Sequence, residues 1–164
     1  MLYSSLNIYL FLLLLFILNT IKNNVDFYWH AGDISYADDS FLHPGCFIEF
    51  CFEDTWNTFM NKIEPFASYK PYMVVPGNHE ADCHDPSCLT NKNRREKLSN
   101  FTAYNTRFRM PSKESGSNAL NMHYSFNYGS VHFISIDTET GFPGAEEESL
   151  KFIREKRQGK VPKR

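Results

Sequence analysis

Residues 26–36, DFYWHAGDISY, and residues 72–80, YMVVPGNHE, decide the fold of this chain. Residues 26–31 and 72–75 are short apolar and aromatic runs, which predict two buried strands, and polar residues follow where a glycine ends each run. Between them, apolar residues recur at steps of three and four over 53–66, which predicts an amphipathic helix that packs on the sheet and ends near Pro65. The order strand, helix, strand predicts an α/β fold whose chemistry lies at the carboxyl ends of the strands.

The remaining segments predict shorter elements. Residues 100–108 predict a short helix, and residues 123–127 and 131–137 predict two strands joined by a short turn. Residues 145–157 predict a helix, because its acidic first turn and basic end suit the helix dipole. The segment 32–54 and the polar, cysteine-bearing segment before residue 100 are predicted to be loops.

Composition and charge place the chain among globular proteins. Its 164 residues are 42% hydrophobic and 16% aromatic, which is enough for one packed core. The formal charge is −2, from 17 basic and 19 acidic residues, so the sequence lacks the basic face of a nucleic-acid-binding protein. Basic residues gather only at 92–97 and 154–164, which we interpret as solvated faces and a tail. We therefore expect no nucleic-acid partner.

An apolar run, IYLFLLLLFIL at residues 8–18, predicts a targeting segment. Its length suits the hydrophobic region of a signal peptide better than a membrane span of about 20 residues. We therefore divide the chain into an apolar leader, residues 1–21, and a domain, residues 22–164, and expect secretion. A retained signal-anchor is the alternative, because no Lys or Arg precedes the run and no small-residue cleavage site follows it. Membrane attachment is expected only in that case.

Cysteine usage and a glycosylation motif fit an exported protein. Cys46 and Cys51 form one C-x4-C pair and Cys83 and Cys88 form another, which together permit three disulfide connectivities. Local pairing within each motif is favoured, and a structural zinc site is the rival, although its usual C-x2-C spacing is absent. The acceptor motif N-F-T that begins at Asn100 predicts N-glycosylation.

The residues that follow the two strands have the chemistry of a metal site. Gly32 allows a sharp turn, and the carboxylate of Asp33 has two oxygens that can bridge two cations. The phenol of Tyr36 becomes a hard ligand once ferric iron removes its proton. Asn78 offers a neutral carbonyl oxygen, and His79 can donate a hydrogen bond to a bound anion. Because both sets follow strands of one βαβ unit, we expect them at one edge of the sheet.

Four ordered motifs resemble one known family. They are W-H-A-G-D-I-S-Y-A-D-D, V-V-P-G-N-H-E, R-F-R-M-P and Y-S-F-N-Y-G-S-V-H-F-I-S-I-D-T-E-T, and the resemblance covers about 21–149. Together they resemble the purple acid phosphatases of the metallophosphoesterase superfamily, in their larger fungal or plant-like form. The resemblance implies a four-layer αββα sandwich with a mixed sheet, of which this chain forms a fragment.

The resemblance also implies a role for each matching residue. Asp33 corresponds to the aspartate that bridges a ferric ion and a divalent ion of zinc, manganese or iron. Tyr36 corresponds to the ferric ligand that gives the colour, Asn78 to a ligand of the divalent ion, and His79 to a contact of the substrate phosphate. His30, at the end of the first strand, is a candidate for supporting these ligands. The implied reaction is hydrolysis of phosphomonoesters, with two cations neutralising the charge on the transferred group.

The family pattern includes further ligands that this chain does not show. They are an earlier D-x-G aspartate and later histidines in V-x-x-H and G-H-x-H segments. We therefore expect little or no phosphatase activity from the chain as written. The alternative is a degenerate, inactive binding protein on the same fold, secreted or membrane-tethered. A phosphodiesterase or nucleotidase is a third possibility, against which Tyr36 argues, because relatives that use only divalent ions have no need of a phenolate there.

Overall fold

The computed structural model describes residues 24–43, 45–46, 49–117 and 120–139, together with 151 and 154. The elements are β1 Tyr28–Ala31, a 3-10 helix Ala37–Leu42, α1 Phe52–Ala67, β2 Tyr72–Val75, α2 Asn78–Ala81, α3 Pro86–Thr90, α4 Lys92–Leu98, α5 Thr102–Arg107, β3 His123–Tyr128 and β4 Val131–Ile136. These helices and strands confirm the α/β class. The predicted leader and the predicted helix at 145–157 lie outside the described residues, apart from Lys151 and Arg154, both helical.

The described chain forms two compact units, and β1 and β2 contribute to both. The first unit contains the chain up to His30 with Ser35–Met73 and Cys83–Lys97, and the second contains Ala31–Ile34, Val74–Asp82 and the chain from Leu98.

The first two strands pair in parallel and flank a helix. The N–H of Tyr28 donates to the carbonyl of Pro71, and the N–H of Gly32 donates to that of Val75, both at 2.9 Å. The two bonds join residues at the same sequence offset, which is the pattern of parallel strands. With α1 between them, β1 and β2 form the predicted βαβ unit.

Helix α1 supplies half of the buried hydrophobic residues described in the first unit. Its buried residues on the apolar face are Phe52, Trp56, Phe59, Ile63 and Phe66. The ring of Phe66 lies 5.4 Å from that of Tyr28 on β1, measured between centroids. Spacing at three and four residues therefore packs the helix on the strand, as predicted.

Helix α1 ends close to Pro65, as predicted, although the proline does not itself stop the helix. The helix continues to Ala67, with Pro65 inside its last turn. A proline there removes one backbone donor and keeps a helical φ, so its cost is small so close to the end. The N–H of Ser68 still donates to the carbonyl of Glu64 at 3.1 Å.

Two segments predicted to be loops contain short helices. The 3-10 helix lies within 32–54, and α3 and α4 lie in the cysteine-bearing segment. Helix α3 begins because Asp85 caps it, its Oδ1 accepting from the N–H of Ser87 at 2.8 Å, and because Pro86 occupies the first turn. Helix α3 has only five residues, so its sequence shows no hydrophobic period from which the helix could be predicted.

Both cysteine pairs form local disulfides, as predicted. Cys46 bonds to Cys51 and Cys83 to Cys88, with Cα separations of 5.6 and 6.0 Å, inside the usual range. The rival of a structural zinc site on these cysteines is therefore wrong. Asp85, between the cysteines of the second pair, also accepts a hydrogen bond from the hydroxyl of Ser40 in the 3-10 helix, at 3.1 Å.

The second unit contains an antiparallel hairpin. Strands β3 and β4 pair from His123 with Ile136 to Tyr128 with Val131, and Gly129 and Ser130 form the turn. The two predicted strands and their turn are confirmed, with bounds that differ by one residue.

Side chains of the second unit hold the end of β2. The hydroxyl of Tyr124 donates to the carbonyl of Val74 at 2.9 Å, and the N–H of Val74 contacts the sulfur of Met110 at 3.2 Å. The hydroxyl of Tyr104 lies 3.2 Å from the same carbonyl, and burial raises the pKa of Tyr104 far above its ordinary value, so the phenol keeps its proton. These contacts fix the backbone just before the loop at Gly77.

Candidate functional site

A cleft of about 310 Å³ lies at the carboxyl ends of three strands, and all of its lining residues belong to the second unit. Its lining residues are Ala31, Gly32 and Asp33 after β1, Val75, Pro76, Gly77 and Asn78 after β2, and Ile136, Thr138 and Glu139 after β4. Carboxyl ends of strands are the usual place for ligand sites in α/β proteins. The cleft is therefore the candidate functional site.

The loops after β1 and β2 touch because both contain glycine. Gly32 has φ of +70° and Asp33 of +49°, so the backbone turns through the left-handed region immediately after β1. A methyl group built on Gly77 would lie 2.3 Å from Oδ1 of Asp33 and 2.6 Å from its backbone nitrogen. Only a residue without a side chain permits this approach. The carboxylate of Asp33 therefore lies against the backbone that carries Asn78.

Glu80 joins the two loops, a role that the sequence analysis did not assign. Its side chain is 4% exposed. Oε1 accepts from the N–H of Ile34 at 2.7 Å, and Oε2 accepts from the N–H of Gly77 at 2.8 Å. A glutamate three residues after a helix cap predicts the bond to Gly77. No local pattern predicts the bond to Ile34.

The third side of the cleft was also not assigned from the sequence. Thr138 and Glu139 follow β4, and Oδ1 of the buried Asp137 accepts from the N–H of Glu139 at 2.8 Å. The signal was present in the segment I-D-T-E-T, where polar residues follow a strand as they do after β1 and β2.

The structure brings together two of the predicted site residues. Asp33 and Asn78 line the same cleft. His79 is half-buried in α2, one residue beyond Asn78. Tyr36 and His30 belong to the first unit. The metal-binding and catalytic roles of these residues stay predictions.

His30 has a partner within the first unit. Its Nδ1 lies 2.8 Å from the hydroxyl of Tyr72. Burial raises the pKa of Tyr72 well above its ordinary value, so the phenol that forms this bond keeps its proton. This bond fixes the orientation of the His30 ring.

The donor set of the cleft fits hard metal cations. Asp33 provides a carboxylate and Asn78 a carboxamide, and both are oxygen donors of the kind that such cations prefer. Asp33 and Glu139 also place two carboxylates on the cleft wall, which repel a phosphate anion. An anion in this cleft is therefore disfavoured unless cations offset the charge of the two carboxylates.

Comparisons with known proteins define the class. A family model described as calcineurin-like phosphoesterase matches residues 9–163, and the chain belongs to this family. The match begins inside the predicted leader, and the boundary at residue 21 stays a prediction. No solved structure gives a significant match to the chain.

Within the family, the chain is similar to purple acid phosphatases, as the motifs predicted. It is 38% identical over 127 residues to probable purple acid phosphatase 20 of Arabidopsis thaliana, over 77% of this chain and 25% of that protein. It is 37% identical over 146 residues to acid phosphatase A of Cryphonectria parasitica, over 73% of this chain and 28% of that protein. Probable inactive purple acid phosphatase 9 of Arabidopsis thaliana is 32% identical over 127 residues, over 69% of this chain and 17% of that protein. The chain thus spans about a quarter of the first two relatives.

Proposed function

We propose that this protein acts in the hydrolysis of phosphomonoesters and that the chain contributes Asp33 and Asn78 to a dinuclear metal centre. The observation that carries the proposal is the shared cleft of these two oxygen donors at adjoining strand ends. The relatives named acid phosphatases support the same reaction class. The substrate class is phosphate monoesters.

Each residue has a proposed task. Asp33 would hold the cations with its carboxylate oxygens, and Asn78 would hold the divalent one with its carbonyl oxygen. Tyr36 contributes a phenolate, and His79 donates a hydrogen bond to the phosphate. When bound, Fe(III) and a divalent ion of zinc, manganese or iron supply the Lewis acidity that activates water and neutralises phosphate charge.

Replacing Tyr36 with phenylalanine tests the iron part of the proposal. We expect the chain loaded with Fe(III) citrate and Zn²⁺ to show a visible charge-transfer band, and Tyr36→Phe to abolish it, because phenylalanine has no oxygen to bind iron. Tyr69→Phe is the matched control, since Tyr69 is 81% exposed. Absorption spectroscopy measures the band, and a band that persists in Tyr36→Phe removes this tyrosine from the site.

We also propose that the protein is secreted and glycosylated. The two disulfides suit an oxidising compartment. Asn100 is exposed at the start of α5, where a glycosyltransferase can reach it. None of the helices that the structure describes has the length and hydropathy needed to span a membrane.

The glycan proposal predicts a loss of mass in one variant. Expressed in a eukaryotic secretory host, the chain should shift on a denaturing gel after endoglycosidase treatment, and Asn100→Asp should not. Aspartate suits this position because Asn100 has φ of +57° and both residues tolerate the left-handed region. Asn93→Gln, at an exposed asparagine outside any acceptor motif, should keep the shift. An unchanged shift in Asn100→Asp refutes the site.

The alternative is an inactive protein on the same fold. The relative named probable inactive purple acid phosphatase 9 shows that such names occur among similar proteins. Measuring metal binding distinguishes the two functions, because the inactive protein has no need of cations in the cleft.

A further inference from the structure

The buried carboxylate of Glu80 bonds to two loops that are far apart in sequence. One oxygen accepts the backbone N–H of Gly77, three residues earlier, at 2.8 Å. The other accepts that of Ile34, 46 residues away, at 2.7 Å. Both are charge-assisted hydrogen bonds, which are the stronger kind. Glu80 therefore holds together the residues that immediately precede Asn78 and follow Asp33.

A helix cap accounts for only half of this arrangement. The bond to Gly77 is the glutamate half of a capping box, with Glu80 as the third residue of α2, because Gly77 has no side chain to return a bond. Helix α2 has four residues, Asn78–Ala81, so a cap alone stabilises little. The bond to Ile34 adds nothing to that helix. It acts on the loop after β1, whose left-handed Asp33 needs support.

We propose that Glu80 is a positioning residue, which sets the distance between Asp33 and Asn78 before a cation binds. Its two oxygens accept from the amides of Ile34 and Gly77, so it acts on Asp33 and Asn78 through the backbone beside them. Ordering the two donors in advance lowers the entropy lost on metal binding. The inference rests on the proposed function, since it assigns Glu80 to the same metal site.

Glu80→Gln tests this role with a nearly isosteric change. The amide of glutamine keeps one acceptor oxygen and places an NH2 group against the other backbone N–H, so one of the two bonds is lost. We expect the dissociation constant for Mn²⁺ to rise by about 10- to 100-fold, as for other residues that orient metal ligands. Isothermal titration calorimetry measures it. Glu64→Gln, at an exposed glutamate of α1, is the matched control and should leave it unchanged.

Amide hydrogen exchange by NMR gives a readout that does not need metal. In the unmodified chain, the amides of Ile34 and Gly77 should exchange slowly, and in Glu80→Gln at least one should exchange faster while the rest of the second unit stays protected. Fast exchange at either amide in the unmodified chain overturns the proposal. Unchanged exchange in the variant, or faster exchange throughout the unit, overturns it as well.

Two further outcomes can be interpreted: a Glu80→Gln variant that does not fold, and an unmodified chain that does not bind Mn²⁺. If Glu80→Gln does not fold, Glu80→Asp keeps the charge but is too short to reach both amides, and the same loss of Mn²⁺ affinity and the same local exchange are expected. If the unmodified chain does not bind Mn²⁺, the proposed function fails, and the exchange at Ile34 and Gly77 then decides alone whether Glu80 holds the loops together.

Discussion

Replacing Asp33 with asparagine should strongly weaken metal binding by this chain. The variant loses the negative charge and one of the two anionic oxygens that a bridging ligand needs. Asparagine has nearly the same shape and tolerates the φ of +49° at this position, so the loop keeps its conformation. We expect the dissociation constant for Mn²⁺ to rise at least about 100-fold, beyond the usual effect of residues that only support a ligand.

The affinity of Asp33→Asn for inorganic phosphate gives a second test, because it should change in opposite directions with and without bound cations. Without cations, removing a carboxylate from a cleft that also contains Glu139 weakens repulsion, so phosphate affinity should rise. With cations as the phosphate receptor, the affinity in the presence of Mn²⁺ should fall. Calorimetric titrations of Mn²⁺, and of phosphate with and without Mn²⁺, decide between the two.

A matched control isolates the effect of position from that of charge. Asp26→Asn makes the same chemical change at an exposed residue before β1 and should leave both titrations unchanged. If Asp33→Asn binds Mn²⁺ as tightly as the unmodified chain, Asp33 is not a ligand and the proposed function falls with it.

The sequence predicted the elements whose pattern is local and long enough to read. Residues 72–75 form β2 as predicted, and α1 differs by one residue at each end. These elements are specified by apolar runs and by a period of three to four residues. Helices α3 and α4 were not predicted, because each has only one or two turns and α3 depends on the cap from Asp85.

The candidate site could be predicted only where its residues follow a recognised motif. Asp33 and Asn78 stand beside glycines after strands, and the structure places both in one cleft. The contact between Glu80 and Ile34 could not be predicted, because it depends on how two loops approach across 46 residues. Glu139 follows β4 as Asp33 follows β1, so the same strand-end rule predicts its place in the cleft.

Gly77→Ala should weaken both the fold of the second unit and its metal affinity. The new methyl group would lie 2.3 Å from Oδ1 of Asp33 and 2.6 Å from its backbone nitrogen, far inside contact distance. The carboxylate can rotate away, but the backbone nitrogen cannot, so the loop after β1 must move. Overpacking of this kind costs about 1–3 kcal/mol of unfolding free energy, sometimes more. Displacing Asp33 also separates it from Asn78, so the Mn²⁺ affinity should fall at least about tenfold.

The backbone conformation of Gly77 makes the test specific for crowding. Its φ is −111°, which alanine adopts without strain, so any loss must come from the added methyl group. Gly129→Ala is the converse control, because Gly129 has φ of +58° and nothing within 4 Å of the new Cβ. In that variant, left-handed strain should lower the free energy of unfolding by about 1–2 kcal/mol, and the Mn²⁺ affinity should stay unchanged. Urea denaturation and Mn²⁺ titration of the two variants give the comparison. If Gly77→Ala keeps the Mn²⁺ affinity of the unmodified chain, the close approach of the two loops does not form the metal site.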